Sequence, residues 1–301
     1  MPALRLRLVL ALALWAPAVC WCSGAITTGA ETPAPADTAA PGEASPAPQP
    51  RPGEPVPATS GPRWEGAIGL LVYQRPEYQG ASQRVFKATP GIFLRYGRLS
   101  ITNASGFRTR NEGEVSRGAS LDLLSSRRVR LSTALRIDRG RTEGSSAAFR
   151  GLGDVRPTLR VHANLNWALA GPLSLGFNWN VDALGRGGGN AGSLGLNWDT
   201  PLGPRSVLTW YAGVSLAGDR YMQTYYGVTP EQAALSGYPV YTPKAGARTH
   251  ELSVNYRTDL SPDWLLIAGA SATHLTGPAA ASPLTRKRDG WELRTGVARR
   301  F

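Results

Sequence analysis

Few side chains in this sequence are able to carry acid–base or metal chemistry. Its three histidines are His162, His250 and His274, and no two of them have the spacing of a metal-ligand pair. His162 lies between Arg160 and Asn164 in a run where every second residue is polar, with no serine and acid partners at a defined distance. That setting suits a member of a hydrogen-bond network better than a general base. The two cysteines, Cys20 and Cys22, fall within the first residues of the chain. The run Gly185-Arg186-Gly187-Gly188-Gly189 has the look of a phosphate cradle, but no helix follows it, and a flexible external loop accounts for it better. What remains is an alternating set of Arg, Asp and Glu side chains, whose use depends on the surface they line. No cofactor is expected.

The chain has 301 residues, 42% apolar and 18% charged. A mean hydropathy of −0.21 excludes a bundle of apolar helices. Lys and Arg number 33 against 21 acids, a formal charge of +12, which favours an anionic partner such as nucleic acid or lipopolysaccharide. The N-terminus decides between them. Arg5 and Arg7 precede the apolar run Leu8 to Ala16, and Ser23 and Ala25 have the spacing of a cleavage site, so residues 1–25 read as a secretory signal peptide. Pro17 interrupts the run well short of the roughly 20 apolar residues of a membrane-spanning helix. Secretion makes nucleic acid a poor partner, and cleavage after Ala25 would leave a mature chain without cysteine, removing disulfides and thiolate chemistry together. Residues 26–62 are rich in Pro, Ala, Gly, Glu and Thr and read as an extended spacer, about 3.1 Å per residue where it is polyproline-like. It is either a tether that reaches a partner or a passive linker.

From residue 63 to residue 301 apolar and polar side chains alternate. In Val155 to Leu169 the odd positions include Leu159, Val161, Leu165 and Trp167, and the even ones Arg156, Arg160, His162, Asn164 and Asn166. The same pattern gives about twelve strands, near 64–73, 85–96, 98–108, 115–124, 128–138, 155–169, 171–183, 190–200, 205–217, 247–259, 263–275 and 290–301. A soluble sandwich also alternates, but the connections here run long, then short, throughout, as in a transmembrane antiparallel β-barrel with short periplasmic turns and long external loops. Strands of about ten residues suit a tilted membrane crossing. Trp64, Tyr96, Trp167, Trp198, Trp210, Trp264, Trp291 and Phe301 stand near strand ends, where interfacial girdles lie. Lipid leaves backbone N–H and C=O groups unsatisfied, so the sheet must close on itself. An even strand number puts both barrel ends, and residues 26–62, on the periplasmic side. Pro90 and Pro157 each lack a ladder donor and are expected at bulges or near the rim. The strand near Trp264 alternates poorly, because Leu265, Leu266, Ile267 and Ala268 are all apolar.

With the apolar set facing lipid, the lumen-lining set comprises Arg95, Arg130, Arg136, Arg156, Arg160, His162, Asp182, Glu251, Arg257, Glu292 and Arg294, joined by Glu65, Lys87, Arg117, Asp122, Arg128 and Arg300. The interior is then polar and net basic. Fixed positive charge of this kind would favour an anion-preferring pore, whereas Arg–carboxylate pairing across a narrow bore would close it. The longest loop, between Gly218 and Gly246, carries Tyr225 and Tyr226 and then a capping-box pattern: Thr229 as cap, Pro230 at the first helical position, Gln232 closing the box and Gly237 ending the helix. A folded loop of that size is a candidate constriction at the mouth or a cover for the rim.

Particular stretches carry a family likeness. Arg75-Pro76-Glu77-Tyr78-Gln79-Gly80-Ala81-Ser82 with Pro90-Gly91 and Arg95-Tyr96-Gly97-Arg98 resembles the first hairpin of the MipA/OmpV family, the MltA-interacting outer-membrane proteins. Tyr225-Tyr226-Gly227-Val228-Thr229-Pro230-Glu231-Gln232-Ala233-Ala234, with Ser236-Gly237, Pro239 and Tyr241, resembles that family's most recognisable stretch. The final Arg300-Phe301 is similar to the terminal-aromatic signal read by the barrel assembly machinery. The resemblance implies a non-enzymatic scaffold in the outer membrane of a Gram-negative bacterium. There it would contact lipid and lipopolysaccharide and be linked to a murein transglycosylase and a bifunctional penicillin-binding protein. It assigns no binding residue. The small anion-preferring porin remains the alternative, and a barrel enzyme using one of the histidines a distant third.

Overall fold

The computed structural model describes residues 64–103 and 118–301. The segments read as signal peptide and spacer, residues 1–25 and 26–62, lie outside the described residues, as does Arg117.

Twelve strands follow one another in a single closed antiparallel barrel. They are β1 (Trp64–Pro76), β2 (Arg84–Tyr96), β3 (Leu99–Thr102), β4 (Gly118–Ser125), β5 (Val129–Asp138), β6 (Thr158–Ala170), β7 (Leu173–Asp182), β8 (Asn190–Pro201), β9 (Ser206–Ala217), β10 (Gly246–Asp259), β11 (Trp264–Leu275) and β12 (Asp289–Arg300). Each pairs with its neighbours in sequence, and β12 closes on β1 with Ala67 opposite Arg300 and Gln74 opposite Leu293. Among the described residues every strand has a partner strand on each side, as a sheet in hydrocarbon requires. Among the described residues three short α-helices, α1 (Asp219–Tyr226), α2 (Pro230–Ser236) and α3 (Gly277–Ala280), sit in the long connections. No helix among the described residues is long and apolar enough to cross a membrane.

Tight turns set the short end. Between Tyr96 and Leu99 the chain reverses through Gly97 at φ +57°, and between Ala170 and Leu173 through Gly171 at φ +52°. Both are left-handed conformations that a Cβ would penalise. The same end carries a girdle of aromatic rings. Trp64 stands opposite Tyr96 with ring centroids 5.0 Å apart, Trp198 opposite Trp210, and Trp167 and Trp264 project nearby on the exposed face. Between the girdle and the long loops the outward positions are apolar and exposed, among them Ile68, Leu70, Ile92, Leu135, Phe177, Leu194, Leu196, Leu252 and Leu293. A water-facing surface would not hold so continuous an apolar band; this is the lipid face.

Several details depart from the reading by alternation. The inward face is not uniformly polar: Ala67, Leu71, Phe93, Leu265, Ile267 and Ala298 form a buried apolar cluster inside the barrel, on β1, β2, β11 and β12 near the short-turn end. This explains the irregular pattern of β11. Leu265 and Ile267 face that cluster while Leu266 faces out, in unbroken register with β12. Pro90 makes no bulge; it stays in register opposite Leu70. The Ile92 N–H and C=O face the β3 side, bonding Asn103, so the nitrogen of Pro90, two residues earlier, faces the same side beyond the last β3 pair. Pro157 precedes β6, which begins at Thr158 rather than at residue 155. Arg128 and Arg156 therefore lie in connections, not on strands. Register shifts occur instead at Asp122/Leu124, Ala168/Ala170 and Ala247/Thr249.

Candidate functional site

The longest loop folds into the barrel mouth. In α1 the one-turn spacing places Met222 and Tyr226 on one face, both buried, against Ala191, Ala217 and Leu275 of the wall and Ala279 of α3. The adjacent stripe, Tyr221 and Tyr225, has ring centroids 4.6 Å apart and reaches inward-facing charges. Arg248 Nη1 donates to Tyr221 Oη at 2.7 Å, and Tyr225 Oη donates to Asp138 Oδ2 at 3.2 Å. Burial, with Asp138 beside it, pushes the Tyr225 hydroxyl up to about 12, so it stays protonated as a donor at neutral pH. Burial also raises Tyr226.

The second helix has the cap that its sequence announces. Thr229 Oγ1 accepts from Gln232 N, Gln232 Oε1 accepts from Thr229 N, Pro230 takes the first position, and Gly237 ends the helix at φ +74°. Gln232 does more than cap: its Nε2 donates to Leu152 O at 2.6 Å and ties α2 to the β5–β6 connection. Similar ties reach other long connections. Tyr226 Oη donates to Gln79 Oε1 at 2.9 Å, Thr224 Oγ1 to Gly187 O at 2.6 Å, and Ser282 Oγ to Tyr226 O at 2.6 Å. Above them Phe149, Leu152, Val228 and Leu284 pack with Tyr78, Tyr238 and Tyr241. Met222 and Val228 are both 0% exposed. The result is a lid with its own apolar core, built from connections that arrive from around the rim.

Beneath the lid the wall is polar. Arg160, only 5% exposed, donates from Nε to Asp138 Oδ2 at 2.6 Å, from Nη1 to Asn180 Oδ1 at 2.9 Å and from Nη2 to Gly188 O at 2.8 Å. Asp182 accepts from Thr158 Oγ1 and, at 2.8 Å, from Gly188 N. The glycine run 185–189 thus serves Arg160 rather than a phosphate: a Cβ at Gly188 would lie 2.9 Å from Arg160 Nη2. His162 faces the lumen two residues further along β6, and Asn178 Nδ2 lies 3.5 Å from its Nδ1.

The other expected lumen residues are spread along the bore. Arg95 pairs with Asp122 at 2.9 Å, and Arg257 and Arg300 share Asp259. Arg294 Nη2 donates to Asn255 Oδ1. Arg130, Glu251 and Glu292 have inward register and are half-buried, Arg136 has inward register and is exposed, and Arg156 is exposed in the connection before β6. His250 and His274 are opposite each other on the outward face, where His274 Nδ1 is 2.7 Å from Asp289 Oδ1. The three histidines therefore share no site. Among the described residues no cluster of His, Cys, Asp or Glu is placed to hold a metal. Sequence reasoning missed Asp138, Gln79 and Ser282 as partners of the lid; Gln79 lies in the family-like stretch 75–82 but with no role attached, and only the fold brings the three there. Phe301 extends the closing pair, exchanging backbone hydrogen bonds with Gly66 at 3.0 and 3.1 Å.

Several solved membrane barrels are similar to this chain at low identity. OmpT of Vibrio cholerae matches over 80% of this chain and 97% of its own at 4% identity and a TM-score of 0.35. The NanC porin matches over 78% and 98%, at 8% identity and a TM-score of 0.37. OccK11 (OpdR) of Pseudomonas aeruginosa matches over 79% and 96%, at 11% identity and a TM-score of 0.31. No curated protein sequence matches the chain. A family model, however, matches residues 68–301, which is the whole barrel from early β1 onward and includes both helices of the lid. On that match this outer-membrane β-barrel belongs to the family of MltA-interacting protein MipA.

Proposed function

We propose that this barrel is a non-enzymatic, non-conducting scaffold of the outer membrane. It would hold a murein transglycosylase, and with it a penicillin-binding protein, at the periplasmic end of the bore. The observation that carries the reading is the lid: a pore that passes solute has no use for a mouth filled by a packed apolar core with Met222 and Val228 fully buried. The family's description as MltA-interacting supports the choice of partner. The Pro-rich residues 26–62 would serve as a tether into the periplasm, and Phe301 as the recognition end for the barrel assembly machinery. The basic inner wall supports a second reading, a small anion-preferring channel, which needs the lid to open.

Planar-bilayer conductance separates the two. The full chain is expected to be silent, and a chain with residues 219–245 replaced by a short Gly-Ser turn is expected to conduct in steps. Anion-selective steps from the full chain would sink the scaffold reading in favour of the channel. Pull-downs from envelope extracts should recover the transglycosylase; recovery of no peptidoglycan enzyme would count against the partner.

A further inference from the structure

The inward wall of β5, β6 and β7 carries hydrogen-bond donors that the described residues do not use. His162, 8% exposed, and Asn164 face the lumen two residues apart on β6. Asn178 of β7, directly opposite Asn164, sits between them. Its amide donates to Asn164 Oδ1 at 2.5 Å and points to His162 Nδ1 at 3.5 Å. With the Asn178 amide as donor to both, Nδ1 takes the acceptor role and the ring proton belongs on Nε2, the tautomer that imidazole nitrogen NMR reads directly. Both His162 Nε2 and Asn164 Nδ2 are buried without a partner among the described residues. Buried donors are normally satisfied, so both are open to an acceptor from outside the described residues.

The neighbouring strand adds charge. On β5, Ala134 stands opposite His162, while Arg136 stands opposite Arg160. Arg160 is committed to Asp138, Asn180 and Gly188, and Asp138 is further engaged by Tyr225. Arg136 keeps an exposed guanidinium with no ion pair among the described residues. It acts electrostatically on His162, as do Arg160 and Asp138. Two N–H donors and a cation on one wall are complementary to an oxyanion, which accepts several charge-assisted hydrogen bonds at once.

We infer that His162, Asn164 and Arg136 form a lumenal binding site for the carboxylate or phosphate group of a solute. The site stands whether the barrel conducts or scaffolds. Towards the short-turn end the inward residues Asn166 and Asp199 are exposed. The test is imidazole nitrogen NMR on the full barrel, refolded in detergent with labelled histidine and titrated separately with inorganic phosphate and with acetate. Only three histidines contribute signals, and His250 and His274, on the outward face, serve as internal controls. The His162 resonance should show the Nε2-protonated tautomer and shift saturably with at least one of the two anions; which one identifies the source. Arg136→Gln should weaken that binding roughly tenfold or more, in a barrel whose heat-shifted gel mobility shows that it has folded. An Nδ1-protonated His162, or a His162 signal that moves with neither anion before His250 and His274 do, overturns the proposal. So does an Arg136→Gln titration identical to that of the unaltered chain. A conducting full-length barrel would defeat the scaffold reading and leave this one standing.

Discussion

The two ends of the bore are filled by different parts of the chain. At the short-turn end the filling comes from the strands themselves: Ala67, Leu71, Phe93, Leu265, Ile267 and Ala298 project from residues already locked in the ladder. At the long-loop end it comes from residues outside the ladder, Met222, Tyr226, Val228, Phe149, Leu152 and Leu284. These are held to one another by side-chain hydrogen bonds such as Tyr226 to Gln79 and Gln232 to Leu152. The first cluster cannot loosen without disturbing strand pairs. The second can, since breaking its contacts leaves the pairing of strands intact, and proteins draw their movable parts from such weakly coupled units. The inner cluster is therefore part of the barrel wall, whereas the lid is joined to that wall by packing and side-chain hydrogen bonds.

Deleting a buried side chain at each end tests that contrast most forcefully. Phe93 is 0% exposed at the centre of the inner cluster. Phe93→Ala should cost about 3–5 kcal/mol of global stability, read as a lower urea midpoint of the detergent-folded barrel. Met222, also 0% exposed, fills a comparable gap in the lid, and Met222→Ala should remove about 2–5 kcal/mol. Here the loss should fall on the lid alone, as faster proteolysis between Gly218 and Gly246 with an unchanged urea midpoint. A shared midpoint shift for both variants would show that the lid and the barrel unfold as one unit.

The same contrast governs what could be read from the sequence. Alternation revealed all twelve strands of the barrel because lipid and lumen select opposite side chains at every second position. It failed where the lumen is itself apolar. Leu265 and Ile267 look like lipid-facing residues but point inward, and around them the sequence contains no period to read. In the lid, the local rule succeeded: Thr229, Pro230, Gln232 and Gly237 form the capping box and stop that their spacing announces. The seat of that helix in the mouth was not legible. The contacts that fix it join residues 147 apart for Tyr226 and Gln79, and 80 apart for Gln232 and Leu152, and nothing in local sequence encodes such distant partners. The glycine run lies in the β7–β8 connection, in line with its reading as a loop, but what it holds was not legible for a related reason. Its partner, the buried guanidinium of Arg160, comes from a different strand.

A smaller perturbation grades the independence of the lid. Thr229→Ala removes the oxygen that accepts from Gln232 N and should destabilise α2 by about 0.5–2 kcal/mol. Hydrogen exchange should quicken at the Gln232 amide and leave the amides of β9 and β10 unchanged. If exchange in those strands also rises, the lid braces the barrel wall and the two ends differ less than proposed.

Tyr225 gives the mildest test, one switched by pH rather than by truncation. Its hydroxyl is pushed up to about 12, chiefly by burial and next by Asp138, with Arg160 acting in the opposite sense. Taking about 10 for an unfolded tyrosine, the folded lid favours the protonated form. The stability it draws from this is complete below about pH 10 and is lost as the pH rises through 12. Proteolysis of the loop should therefore accelerate over that interval, with a protease active in alkali, while the heat-shifted mobility of the barrel persists. Tyr225→Phe gives up a single hydrogen bond, from Tyr225 to Asp138, at a cost of about 1 kcal/mol at neutral pH. It should flatten the alkaline acceleration because no phenol remains there to ionise. Acceleration of equal size in that variant would assign the alkaline loosening to another group, with Tyr226 and Tyr78, both raised by burial, as the next tyrosines of the lid to test.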